Sequence, residues 1–281
     1  MRDVSEAGKP MACLRILGFD AAWTTKNPSG LALVDYVKGR RPTLVWVGRS
    51  FAEIGQTPVW SAKAHLGSAG MLARIGRVDI AVVDMPLSAK RIVRRRPSDD
   101  AISRQYSGRG AGTHSPSPDR PGKQAAIVFD ALRALGLSFA AAGATVRTGC
   151  FLETYPHPAI IELIGLDYRL PYKVARRWAY TKDHVGLMSI DRFRFVAEKL
   201  GELRAALGQR IHGVSALVPD PLTILEKPGM APGLKAIEDV LDAVVCAWVG
   251  VEFASDRAIA FGDHHSAIWL PKAGAGLLRT E

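Results

Sequence analysis

The stretch IEDVLDAVVCAWVG, residues 237–250, sets two acids into an apolar helix pattern. At about 100° per residue, Ile237, Val240, Leu241, Val244 and Trp248 share one side. Asp239 and Asp242 fall on the other side, which continues one turn later as Cys246, Val249, Gly250 and Phe253. Only half of that second face is acidic, so the pattern predicts a helix buried nearly all round. Buried carboxylates are costly unless something positive meets them. The partner is therefore an Arg, or a metal ion shared with acids from elsewhere in the chain.

Upstream, LRILGFDAAW reads as a buried strand ending near Asp20. SGLALVDY and TLVWVGRS follow with partial alternation, joined by the turn-forming TTKNPSG and VKGRR, so three antiparallel strands are predicted. Residues 60–76 read as a helix. VDIAVVDMPL is a short continuous apolar run, as in a central strand covered on both faces, closed by Asp84 and Pro86. Residues 124–143 read as a long helix, and TVRTGCFLETYP as a fifth strand with Glu153 near its end. Helices are expected at 158–165 and 191–207, and AIAFGDHHSAIWLP forms a closing hairpin or strand. The order β-β-β-α-β-α-β, then α, predicts an α/β fold with a mixed sheet, the last two of its five strands entering as parallel crossovers. It is expected as one domain over residues 11–281 after a loose tail at 1–10, with insertions at about 88–123 and 157–234. Residues 90–123 hold nine Lys/Arg against three Asp and no hydrophobic periodicity, which predicts a long loop or lid.

The chain has 281 residues, 48% apolar and 23% charged, enough to build a full core. No run of about 18 apolar residues exists, which excludes a membrane span. The polar N-terminus has no apolar signal core. Cys13, Cys150 and Cys246 are far apart and form no CxxC pair, which argues against zinc and a disulfide framework and points to a reducing cytoplasm. The net charge of +10 favours a polyanionic partner, nucleic acid first, with DNA and RNA not separated.

Three strand ends thus offer Asp20, Asp84 and Glu153. If strands one and four are parallel neighbours, Asp20 and Asp84 emerge at one sheet edge, where ligands of α/β sheets collect. A helix across that edge aims Asp242, with Asp239, at the same point. Clustered carboxylates repel and stay ionised only beside a hard cation, and an all-oxygen set selects Mg2+ or Mn2+. Two such ions about 4 Å apart cleave phosphodiesters by activating water and stabilising the leaving oxygen.

The order of elements, with Asp on the first strand, the fourth strand and the last helix, resembles the ribonuclease H-like superfamily. More closely, GFDAAW, VVDMPL, RGAGTHSPSP, ETYPHP and DVLDAVVCAW resemble a bacterial and archaeal family of unknown function described as predicted nucleases with the ribonuclease H fold. The resemblance runs from about residue 14 to 271. It places the family's acids on Asp20, Asp84, Glu153 and Asp242. Asp239, three residues ahead of Asp242, resembles the paired acids of the junction-resolving branch.

The expected function is metal-dependent hydrolysis of nucleic-acid phosphodiester bonds. Asp20 and Asp84 would bridge the ions, Asp242 and Glu153 would complete the shells, and Asp239 would assist from outside. Arg109, His114 and Ser115 in RGAGTHSPSP, with Arg104 upstream, form a candidate phosphate clamp, and Lys123 adds a candidate contact at a helix start. The run RIVRRR, residues 91–96, either tracks a phosphate backbone or is a solvated charge run. His157 either helps orient the site or, in preference, caps the next helix, and His264 with His265 are either a mobile proton carrier near a leaving group or, in preference, a structural pair in a strand. Trp23 either packs or stacks on a base. DYRLPYKVARRWAY, residues 167–180, either grips nucleic acid or covers the sheet. Two rival functions are a non-catalytic nucleic-acid or protein-binding module and, less favoured, an ATP-dependent phosphotransferase, for which no second Gly-rich phosphate turn is present.

Overall fold

Along β1 (Leu14–Asp20) successive side chains alternate between two cores. Ile16 joins a large cluster on one face of the strand, and Leu17 and Phe19 join a second on the other. Both faces are covered, which is why LRILGF reads as a continuous apolar run. The computed structural model describes residues 12–23, 28–49, 77–183, 186 and 188–274. The tail at 1–10 and the helix expected at 60–76 lie outside the described residues.

β1 pairs antiparallel with β2 (Gly30–Tyr36), and β2 antiparallel with β3 (Thr43–Gly48). β4 (Ile80–Val83) runs parallel to β1. The two-residue β5 (Ser138–Phe139) and β4 both run parallel to β6 (Cys150–Glu153). β7 (Ala258–Gly262) and β8 (Ala267–Pro271) form an antiparallel hairpin, and β8 joins β6 in parallel. Among the described residues the order across this mixed sheet is β3-β2-β1-β4-β6-β8-β7. Phe19 stands opposite Val83, and Val83 opposite Glu153. One residue further on, Asp20 and Asp84 therefore leave the sheet at the same edge.

The helices are α1 (Pro97–Tyr106), α2 (Gly122–Ala134), α3 (Pro156–Ile164), α4 (Arg177–Tyr180), α5 (Ser189–Arg210), α6 (Val214–Leu217) and α7 (Met230–Ala254). α7 carries the opening stretch and is buried almost throughout from Gly233 onward. It crosses β1 and β2 at very short range. A Cβ on Gly18 would stand 1.9 Å from the Ala243 carbonyl oxygen, and one on Gly30 would stand 1.8 Å from that of Asp239. Only glycine admits that approach. Gly18 and Asp20 share a strand face, so the same crossing brings α7 over Asp20. On the opposite face Val128 and Leu132 of α2 pack with Leu17, Val83 and Phe151.

Two sequence expectations are corrected here. Within residues 90–123, read as a loop or lid, lies α1, begun by Pro97 at its first turn and by the Asp99 carboxylate, which accepts from the Arg96 backbone N–H at 2.9 Å. The helix read over 124–143 ends at Ala134, because Gly136 takes φ +80° and the chain turns into β5. No helix among the described residues is long and apolar enough to cross a membrane.

Candidate carboxylate site

Asp242 has no exposed surface, so its charge must be met inside the protein. It accepts a hydrogen bond of 2.6 Å from the Tyr172 hydroxyl and is ion-paired with Lys173. Lys173 also lies 3.4 Å from Glu238, one residue before Asp239. Glu238 accepts from the Val174 backbone N–H at 2.7 Å and pairs with Lys235 at 2.8 Å. These cations hold its pKa below the ordinary range, although burial, the largest influence, pushes the other way. Lys235 also binds Oδ1 of Asp239, and Arg49 lies 3.9 Å from Oδ2. That Oδ2 is buried without a hydrogen bond. The cation that the opening stretch demands is thus mainly lysine, Lys173 and Lys235.

Glu153 is answered by Arg96. Two bonds of 2.6 and 2.7 Å join the guanidinium to both carboxylate oxygens, and the Leu87 N–H adds a third at 2.7 Å. Arg96 also binds Asp99 and the Leu87 carbonyl, so the last residue of RIVRRR is a buried clamp between β6 and α1. Burial lifts Glu153 to about 7, against the pull of Arg96.

Asp20 and Asp84 differ from these. Both are half-buried, and neither makes a side-chain hydrogen bond or an ion pair among the described residues. Burial raises Asp84 to about 8, with Asp242 as the next cause. Burial, then Asp242 and Asp84, raises Asp20 well above the carboxylate range. Asp239 is lifted to about 6, chiefly by burial. Asp242 acts on both Asp20 and Asp84, and Asp84 acts on Asp20, so the three acids share one centre, with Glu153 lining the hollow beside Asp84 and Asp239 the cleft beside Asp20.

Two hollows open on this centre. A cleft of about 500 Å3 is lined by Asp20, Trp23, Arg49, Lys235 and Asp239. A pocket of about 50 Å3 is lined by Trp23, Asp84, Arg96, His114, Glu153 and Tyr155. Trp23 lines both. Of the expected phosphate contacts, only His114 lines either hollow. Ser115 is exposed and accepts from Arg95 at 3.3 Å. Arg104 is exposed on α1. Arg109 is occupied within the protein, paired with Glu162 at 2.8 Å and bonded to the Leu166 carbonyl. Lys123 is exposed, pairs with Asp119 at 3.2 Å and lines a separate hollow beside α2.

His157 does not cap α3. Tyr155 holds the cap position, and His157 is buried between the Tyr155 and Tyr172 rings, its pKa driven well below the usual value by burial. His264 and His265 lie in the turn joining β7 and β8 rather than in a strand, because Asp263 accepts from the His265 and Ser266 N–H groups. Lys235 was legible in the sequence as the residue three before Glu238 and four before Asp239. Nothing local marks Lys173, which meets Asp242 across 69 positions.

No curated protein and no solved structure matches the chain. One family model matches residues 34–267, a range that begins after Asp20 and takes in Asp84, Glu153, Asp239 and Asp242. The chain belongs to that family, described as "Protein of unknown function (DUF429)".

Proposed function

We propose that the protein is a divalent-metal-dependent phosphodiesterase acting on nucleic acid, on a ribonuclease H-like sheet. The observation that carries this reading is the pair Asp20 and Asp84, adjacent at the strand ends and, among the described residues, without a cation in contact. Two hard oxygen donors of this kind fit Mg2+ or Mn2+. Glu153, Asp239 and Asp242 already face Arg96, Lys235 and Lys173. Among the described residues no group of three or more His, Cys, Asp or Glu side chains is spaced to hold a metal ion. The acids therefore fit a seat with two protein ligands better than the fuller two-ion shell read from the sequence. A bound ion would supply a water of lowered pKa and neutralise charge on the phosphodiester. Asp20 and Asp84 would hold that ion, Asp242 and Glu153 would add field from behind their own cations, and Trp23 and His114 bound the space for substrate.

The test is calorimetric titration of Mn2+ into the wild type and Asp84→Asn, followed by incubation with labelled single-stranded, duplex and branched substrates. Metal binding and cutting by the wild type, both lost in the mutant, support the proposal. No binding at millimolar Mn2+ ends it. A second reading, a non-catalytic nucleic-acid-binding module, is favoured by the cations already set against three of the five expected acids. It expects metal-independent binding and no cleavage.

A further inference from the structure

Trp178 on α4 is the one exposed tryptophan among the described residues, with 52% of its surface open. The Arg192 guanidinium lies 4.3 Å from its ring centroid and that of Arg177 lies at 5.9 Å. Arg177 is steadied by the Phe193 ring at 4.3 Å and the Val174 carbonyl, and Arg192 by the Thr181 carbonyl. These partners are neutral. Among the described residues no carboxylate pairs with Arg169, Arg176, Arg177 or Arg192, in contrast to the acid-bound Arg96 and Arg109. Two guanidinium groups without an acid partner among the described residues, those of Arg177 and Arg192, thus flank one open indole, and Arg169 and Arg176 lie on the same segment of chain.

The same segment reaches the carboxylate centre. Tyr172 and Lys173 contact Asp242, and Trp178 follows five residues later through a 3-10 turn into α4. At a rise of 1.5–2.0 Å per residue that path is about 10 Å long, the span of a few nucleotides at about 3.4 Å each.

We infer that this face takes an unpaired nucleic-acid strand, with a base stacked on Trp178 and phosphates on the surrounding arginines. The inference rests on the function proposed above and narrows its substrate to strands with free bases. Every base has a π face, so such stacking selects for single-strandedness rather than sequence. A paired base is already stacked in its duplex and cannot cover the indole.

The experiment measures fluorescence anisotropy in EDTA with a short labelled single strand and the matching duplex. Wild type, Trp178→Ala and Trp178→Phe are compared. The expected result is preference for the single strand, weakened about ten- to a hundredfold by Trp178→Ala and largely retained by Trp178→Phe. Equal strand binding by wild type and Trp178→Ala overturns the inference, as does a preference for duplex. Trp178-dependent self-association without strand binding also overturns it and makes the face a protein contact. Cleavage is scored separately with Mn2+. Strand binding through Trp178 with no cutting sinks the nuclease reading alone, while cutting with unchanged binding in Trp178→Ala sinks this inference alone.

Discussion

Asp84 and Glu153 sit one strand apart, yet their surroundings give them opposite work. Arg96 makes Glu153 a structural acid, because a buried bidentate pair broken from one side leaves a bare charge. Arg96→Ala strands both Glu153 and Asp99, and the expected loss is about 3–5 kcal/mol, read from the urea midpoint. Asp84 has no such partner, and its folded pKa of about 8 stands above the ordinary 3.8. The folded protein therefore keeps a proton that the unfolded chain releases. Its stabilising contribution is complete below about pH 4 and is lost as pH rises through 8. Asp84→Asn removes that loss. It should stabilise the metal-free protein at pH 8 by about 1–2 kcal/mol after allowance for solvent screening, a few degrees in Tm, and change little near pH 4. Added Mn2+ should raise the Tm of the wild type and leave the mutant where it was. A mutant no more stable than wild type at pH 8 would mean that burial and the Asp242 charge do not hold a proton on Asp84.

At the scale of elements, the site depends on how closely α7 can lie on β1. Gly18→Ala places a Cβ 1.9 Å from the Ala243 carbonyl oxygen and 2.6 Å from the Ala247 nitrogen, both of them backbone. The helix must lift, so a loss of at least about 1–3 kcal/mol is expected, with metal binding weakened as Asp242 moves from Asp20. Gly201 in α5 is the counterpart, since a Cβ there meets nothing within 4 Å. Gly201→Ala should stabilise by up to about 1 kcal/mol, and thermal melts of the two variants side by side check both signs. The same elements explain what could be read from the sequence. β1, β2, β3, β4, β6 and α7 announce themselves because burial on one or both faces writes a period or an apolar run. α1 is hidden in basic, Ser-rich sequence, although Pro97-Ser98-Asp99-Asp100 is a helix start in its own right. The five acids were legible as strand-end and helix residues. Of their cations only Lys235 had a spacing to read, because pairings such as Lys173 with Asp242 and Arg96 with Glu153 are made by tertiary packing.

Over the whole molecule, charge is sorted by place. The acids gather at one sheet edge with lysines against them, whereas Arg169, Arg176, Arg177 and Arg192 make no ion pair with a carboxylate among the described residues. With a net charge of +10, the surplus is free to act on a polyanion. Binding of a strand should then release counterions in proportion to the phosphates neutralised. If three or four of these arginines each take a phosphate, log K against log salt falls with a slope of roughly −2 to −3 for a single strand. Between 50 and 200 mM salt the affinity drops by about 20- to 50-fold. Arg176→Ala and Arg192→Ala should each flatten that slope by about 0.7 and weaken all sequences alike, because a phosphate contact carries no base information. Trp178→Ala should lower affinity at every salt concentration and leave the slope unchanged, because stacking on an indole releases no ions. Salt titrations of these three variants therefore separate charge from stacking on one surface. A slope near zero in the wild type would show that the arginine face does not meet phosphate at all.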